Sequence, residues 1–124
     1  MATAQATTLI ADLRHRRREL RRELARVRWW RRLLRARREL VVGHLAAATS
    51  GESDLDTTWE ALAADAPTER ELSAVIWPEE TRPTVGRLEA IDAIDSRLDS
   101  YERRLSANLE LVTVRMVDAM GAAR

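Results

Sequence analysis

Apolar residues recur every seven positions in two separate stretches of the chain, and this repeat restricts the fold more than any other feature. In the first stretch Leu13, Leu20, Val27, Leu34 and Val41 form the stripe, with Leu24 and Leu45 on the same side. In the second, Ile91, Leu98, Leu105 and Val112 do so, flanked by Leu88, Ile94, Tyr101, Leu109 and Met116. A sustained seven-residue repeat is what helices packed side by side as a coiled coil require. Gly43 is the only glycine or proline between Thr8 and Ala47, so the first stripe predicts a helix over about 8–47, roughly 60 Å long. The second predicts a helix over about 85–120, with Gly121 as its stop. Capping-box patterns at Thr57-Thr-Trp-Glu60 and Thr68-Glu-Arg-Glu71, closed by Pro67 and Pro78, predict short helices over about 57–66 and 69–77. The run from Pro78 to Thr84 reads as a stiff solvated linker. No stretch alternates with period two, so no sheet is expected. The expected fold is all-α: a single domain over 1–124, with two long helices in an antiparallel coiled-coil hairpin and one or two short helices between them.

The numbering of the two stripes suggests a register. Val41 with Ile91, Leu34 with Leu98, Val27 with Leu105 and Leu20 with Val112 advance by one heptad in the first helix and retreat by one in the second. In that register Arg38 falls near Asp95, Trp30 and Arg31 near Tyr101 and Glu102, and Arg22 near Glu110. A net charge of +1 hides the split this pairing would exploit. Residues 1–47 carry thirteen Arg against Asp12, Glu19, Glu23 and Glu39, whereas residues 51–124 carry eight Arg against sixteen acids. Charge asymmetry of this kind points to an acidic partner or to the other half of the same chain. Exposed ion pairs contribute only about 0–1 kcal/mol each, so the apolar seam has to hold the hairpin. A two-helix hairpin buries little surface for its length, and a homodimer or a partner helix is expected to complete the core.

Composition excludes several classes. With no cysteine in 124 residues there is no disulfide framework, zinc–thiolate site or thiol nucleophile. The longest stretch free of formal charge, Leu40 to Gly51, is too short to span a bilayer, and the first residues lack the order of a signal peptide. A soluble cytoplasmic protein with no membrane span is expected. His15 lies one turn from Asp12 and Glu19, but six arginines surround those acids and claim them as ion-pair partners. His44 has no acid three or four residues away and reads as local looseness near a helix end. No metal site is expected. There is no glycine-rich phosphate loop and no serine in a catalytic motif. Leu88-Glu-Ala-Ile-Asp-Ala-Ile-Asp95 resembles the opening of an all-helical chorismate mutase, yet the chain lacks the Lys and the further helices of that family. No enzyme and no catalytic residue are expected.

Two surfaces remain as candidates. Val27-Arg-Trp-Trp-Arg-Arg-Leu-Leu34 combines the residue types enriched at interface hot spots, which marks Trp29, Trp30, Arg31, Arg32 and Arg35 as a protein-partner interface. The alternative is structural, with one Trp in the seam and the other against Arg stems. Nearer the start, Arg14, Arg16, Arg17, Arg18, Arg21 and Arg22 form a collar suited to nucleic-acid phosphates.

The layout of two long helices is similar to that of RsiG-type anti-sigma factors of actinobacteria. In that family an antiparallel helical hairpin holds a sporulation-type sigma factor inactive, using cyclic di-GMP bound on motifs of the form Glu-x3-Ser-x2-Arg-x3-Gln-x3-Asp. Aligned through Arg31-Arg-Leu-Leu34, the first motif's positions fall on Leu24, Arg28, Arg31, Arg35 and Glu39, matching at Arg31 and in the acid at Glu39. The second falls on Asp95, Asp99, Glu102, Ser106 and Glu110, matching in the acids at Asp95 and Glu110; starting at Asp92 gains Ser96 but puts Asp99 where Arg belongs. The resemblance implies a sigma-factor partner, with Arg28, Arg31, Arg35, Glu39 and Glu110 as the anion or nucleotide set. Glu102 stands where the second motif has its Arg, and a carboxylate there repels phosphate, so cyclic di-GMP is expected not to bind. Arg28, Arg31 and Arg35 can instead pair with Asp95, Asp99 and Glu102. The functional expectation is a non-catalytic regulator that sequesters a protein partner, with nucleic-acid binding by the arginine-rich first helix as the alternative.

Overall fold

A computed structural model describes residues 2–50, 65–77 and 84–123. It contains three helices, α1 (Ala2–Ser50), α2 (Glu69–Ile76) and α3 (Val85–Ala122), and no strand among the described residues. The fold is all-α, and the two long helices pack against each other as an antiparallel hairpin. The chain divides into two compact units, one of Met1–Ala36 with Ile91–Arg124 and one of Arg37–Ala90.

In the first unit the inward positions of both helices alternate in steps of three and four. On α1 they are Leu13, Arg17, Leu20, Leu24, Val27, Arg31 and Leu34; on α3, Ile91, Asp95, Leu98, Glu102, Leu105, Leu109, Val112 and Met116. Every one of these is buried or half-buried, as the facing positions of a coiled coil should be. Leu24, Val27 and Leu105 form the core, with Leu20, Leu98, Tyr101 and Leu109 packed around them. Burying each such aliphatic side chain contributes about 1.5–3 kcal/mol. Polar contacts report the same register: Arg17 bonds Thr113, Arg28 bonds Glu102 and Arg31 bonds Asp99, so each step up α1 is matched by an equal step down α3.

Several expectations need correction. The first helix begins at Ala2 rather than near Thr8, and within its first turns the Thr7 and Thr8 hydroxyls donate to the carbonyls of Thr3 and Ala4. It also runs through Gly43 to Ser50, carried by the alanine-rich end. The last helix passes through its expected stop, Gly121, to Ala122, since that glycine keeps a helical backbone. Ile94 is not part of the seam but 48% exposed. At about 100° per residue, turning Asp95, Asp99 and Glu102 toward α1 carries Ile94 out to solvent. Arg31 does meet Glu102, and the Tyr101 hydroxyl donates to Glu23 at 3.0 Å.

In the second unit Val41 is fully buried. The α2 helix opens as its capping box predicts, with Thr68 Oγ1 accepting from the Glu71 amide at 3.2 Å. It closes at Trp77, whose N–H donates to the Ser73 carbonyl at 2.7 Å. Trp77 anchors this element: the Arg37 guanidinium lies 4.1 Å from its ring centroid, and His44 meets it edge-on at 5.9 Å. His44 is therefore a packing partner and not a mark of looseness. Of the helix expected over 57–66, residues 57–64 lie outside the described residues, and Asp65 and Ala66 form a turn. Among the described residues no helix is long and apolar enough to cross a membrane.

Because Val27 and Leu105 share one core cluster and the native chain has no thiol, cysteines at these two positions test the register directly. Val27→Cys with Leu105→Cys, treated with a mild oxidant, should form a crosslink within one chain, seen as a monomer lighter by two hydrogen atoms. A crosslink joining two copies of position 27 would show parallel pairing instead.

Candidate functional site

The polar centre of the hairpin is built on one seam position. Arg31 occupies an inward site of α1, where only 20% of its side chain is exposed, and its guanidinium meets three carboxylates of α3. Its Nε donates to Asp95 Oδ1 at 2.9 Å and Nη2 to Asp95 Oδ2 at 3.2 Å, the bidentate geometry that planar guanidinium favours. Nη1 donates to Asp99 Oδ1 at 3.1 Å and to Glu102 Oε2 at 2.6 Å. The remaining oxygens have their own partners: Glu102 Oε1 accepts from Arg28 Nε at 2.9 Å, and Asp99 Oδ2 pairs with Arg103 at 2.8 Å. Three cations and three anions form a closed, neutral cluster.

The charges respond accordingly. Hydrogen bonds from Arg31 hold Asp95 below the ordinary carboxylate range, with a smaller effect from the nearby Arg35 charge. Arg28 and then Arg31 do the same for Glu102. Arg31 itself is driven further up, by Asp95 first and Glu102 second. A second polar link lies farther along: Glu23 accepts from Arg26 at 2.6 Å and from Tyr101, and is lowered chiefly by Arg26.

These bonds decide what the candidate residues can do. Arg28, Arg31, Arg32, Arg35 and Glu102 line one shallow groove. Within it Arg31 is turned inward and occupied by acids, so it is withdrawn from the expected partner interface. Arg32 and Arg35 are exposed and have no carboxylate in ion-pair range. Glu110 lies about eleven residues, or 16 Å, along the hairpin from the level of Arg31, so the nucleotide set implied by the resemblance is not gathered in one place. Glu39 is exposed and belongs to the second unit.

The tryptophans lie away from the seam. Trp29 and Trp30 are each 48% exposed and meet edge to face, with ring centroids 4.9 Å apart. The expectation that one of them fills the seam fails, because Val27 and Arg31 occupy the facing positions on either side. Leu33, one turn from Trp29, is exposed as well and extends the apolar face.

The arginine collar divides in two. Arg16 and Arg22 line a groove of mixed charge with Asp12, His15, Glu19, Glu23 and Arg26. There His15 bonds Glu19 at 3.0 Å, and among the described residues no acidic or histidine cluster is placed to hold a metal. Arg14, Arg17, Arg18 and Arg21 line a separate hollow with Met116. The links from Glu23 to Tyr101, from Arg17 to Thr113 and from Arg37 to Trp77 were missed by sequence reasoning. The three-four spacing that carries Arg17, Arg31, Asp95 and Glu102 into the seam was the available clue. Comparison with family models, with curated proteins and with solved structures gave no match to this chain.

Removing the central cation should leave three carboxylates close together. Arg31→Ala is expected to lower hairpin stability by about 1–3 kcal/mol in urea unfolding, with Arg31→Lys recovering little because a single ammonium cannot bridge all three acids. The pH response follows from the lowered carboxylates. Asp95 and Glu102 bind protons less readily when folded, so their contribution is complete above about pH 5 and is lost as the pH falls through about 4 and below. Urea midpoints measured from pH 7 to pH 3 should decline on the acid side, and more shallowly in Arg31→Ala.

Proposed function

We propose that this chain is a non-catalytic regulatory protein of the cytoplasm whose hairpin binds another protein through the outer face of α1. The observation that carries this reading is the half-exposed pair Trp29 and Trp30, extended by Leu33, on the outer side and flank of α1. Two half-exposed indoles beside an exposed leucine are costly to leave in water, and Trp with flanking Arg is the composition that dominates interface energetics. Arg32 and Arg35, exposed and with no carboxylate in ion-pair range, supply cations at the rim. The partner is a transcription factor of the sigma class, held by sequestration: the helical face covers the partner's nucleic-acid-binding surface. The similarity of the two-helix layout to RsiG-type anti-sigma factors supports the choice of partner. Cyclic di-GMP has no place in this mechanism, because Arg31 is already committed to three acids and Glu102 faces the position a phosphate would take.

Affinity purification of the full chain from its native host, with mass spectrometry, identifies the partner, and titration with the purified partner then tests the face. Trp29→Ala with Trp30→Ala should keep the helix content and weaken the complex by about 100-fold or more. Binding of the parent chain should persist in high salt and be unchanged by micromolar cyclic di-GMP. A double variant that holds its partner as tightly as the parent would remove this face from the function.

A further inference from the structure

Away from the tryptophan face, the hairpin carries one cationic surface that its own acids leave untouched. Arg14, Arg17, Arg18 and Arg21 follow one another at helical spacing on a single side of α1 and line a hollow floored by Met116 of α3. Among the described residues none of the four lies in ion-pair range of a carboxylate, while Arg28, Arg31 and Arg103 are bound into the neutral cluster. The acids nearest in sequence face the other groove: Asp12 and Glu19 line it, and Glu19 is held by His15. Arg17 is also fixed in place, its Nε donating to Thr113 Oγ1 at 3.2 Å. Four permanent cations thus converge over about 10 Å of helix, the axial span of about three phosphates on one DNA strand.

We infer that Arg14, Arg17, Arg18 and Arg21 form a binding surface for the phosphodiester backbone of double-stranded DNA, without base readout. Phosphate is the chemistry that several guanidinium groups on one face recognise best. The absence of Trp, Tyr or Phe on α1 before Trp29 leaves no platform for stacking unpaired bases, which favours a duplex over a single strand. This surface is separate from the proposed protein-binding face and does not depend on it.

The test is fluorescence anisotropy with a labelled duplex of arbitrary sequence, titrated with the full chain between about 50 and 200 mM salt. Three to four phosphate contacts predict a log–log salt slope of about −2.7 to −3.6, a fall in affinity of about 40- to 150-fold over that range. The set Arg14→Gln, Arg17→Gln, Arg18→Gln and Arg21→Gln should lose about 100-fold or more at the lower salt, with helix content checked by circular dichroism. The same four positions changed to Lys keep the charge and should bind within about tenfold of the parent, so the salt slope and the Lys set decide the matter even if the Gln set unfolds. The inference is overturned if the parent fails to bind duplex at about 50 mM salt, or if a folded Gln set binds as well as the parent. It is equally overturned if single-stranded DNA or polyglutamate binds more tightly than the duplex.

Discussion

One guanidinium organises the centre of this protein. A coiled-coil seam normally wants an aliphatic side chain where Arg31 stands, and an unpaired cation there would oppose packing. Asp95, Asp99 and Glu102 remove that conflict, and in doing so they specify how the helices must lie. Only a register that sets these three acids around Arg31 leaves the charge satisfied, and the same register closes Leu24, Val27 and Leu105 into a core. The rotation of α3 that presents the acids also determines which residues face water, Ile94 among them. Hydrophobic burial supplies the stability of the hairpin, and the polar cluster selects one alignment from the several that a heptad repeat permits.

Because the cluster is neutral and closed, the strong positive charge of the first forty-seven residues is not cancelled evenly. It is balanced around Arg31 but left over at Arg32 and Arg35, is mixed with acids along the groove of Asp12, Glu19 and Glu23, and persists in the hollow of Arg14, Arg17, Arg18 and Arg21. The apolar surface is divided in a comparable way. Leu24, Val27, Ile91, Leu105, Val112 and Met116 are buried in the seam, whereas Trp29, Trp30 and Leu33 on α1 and Leu111, Val114 and Val117 on α3 stay exposed. The proposed protein-binding and DNA-binding surfaces are both made of residues that the chain has not used on itself.

Much of the architecture could be read from the residues alone. The heptad stripes located both long helices and their antiparallel alignment, since matched seven-residue steps leave few ways to bury them together. The Thr68 capping box located α2. What could not be read was which residues of the Arg-rich stretch would be consumed internally. Sequence spacing places Arg28, Arg31 and Arg35 on one side of α1, but only the rotation of each helix about its axis distinguishes Arg31, locked in the seam, from Arg35, left exposed. The tryptophans posed the same problem. As adjacent residues they had to point about 100° apart, and composition alone could not say that the seam was already filled by Val27 and Arg31. The stop expected at Gly121 failed for a local reason: glycine permits a left-handed turn without enforcing one.

The hollow of arginines has one more consequence, set by the kind of cation it uses. All twenty-one basic residues of the chain are Arg and none is Lys. Guanidinium stays protonated at any pH a cell reaches, and it is not a substrate for the acetyl transfer that erases lysine charge. The electrostatic character of this surface is therefore constitutive. It can be screened by salt or covered by a competing partner, but amine-directed modification has nothing to act on.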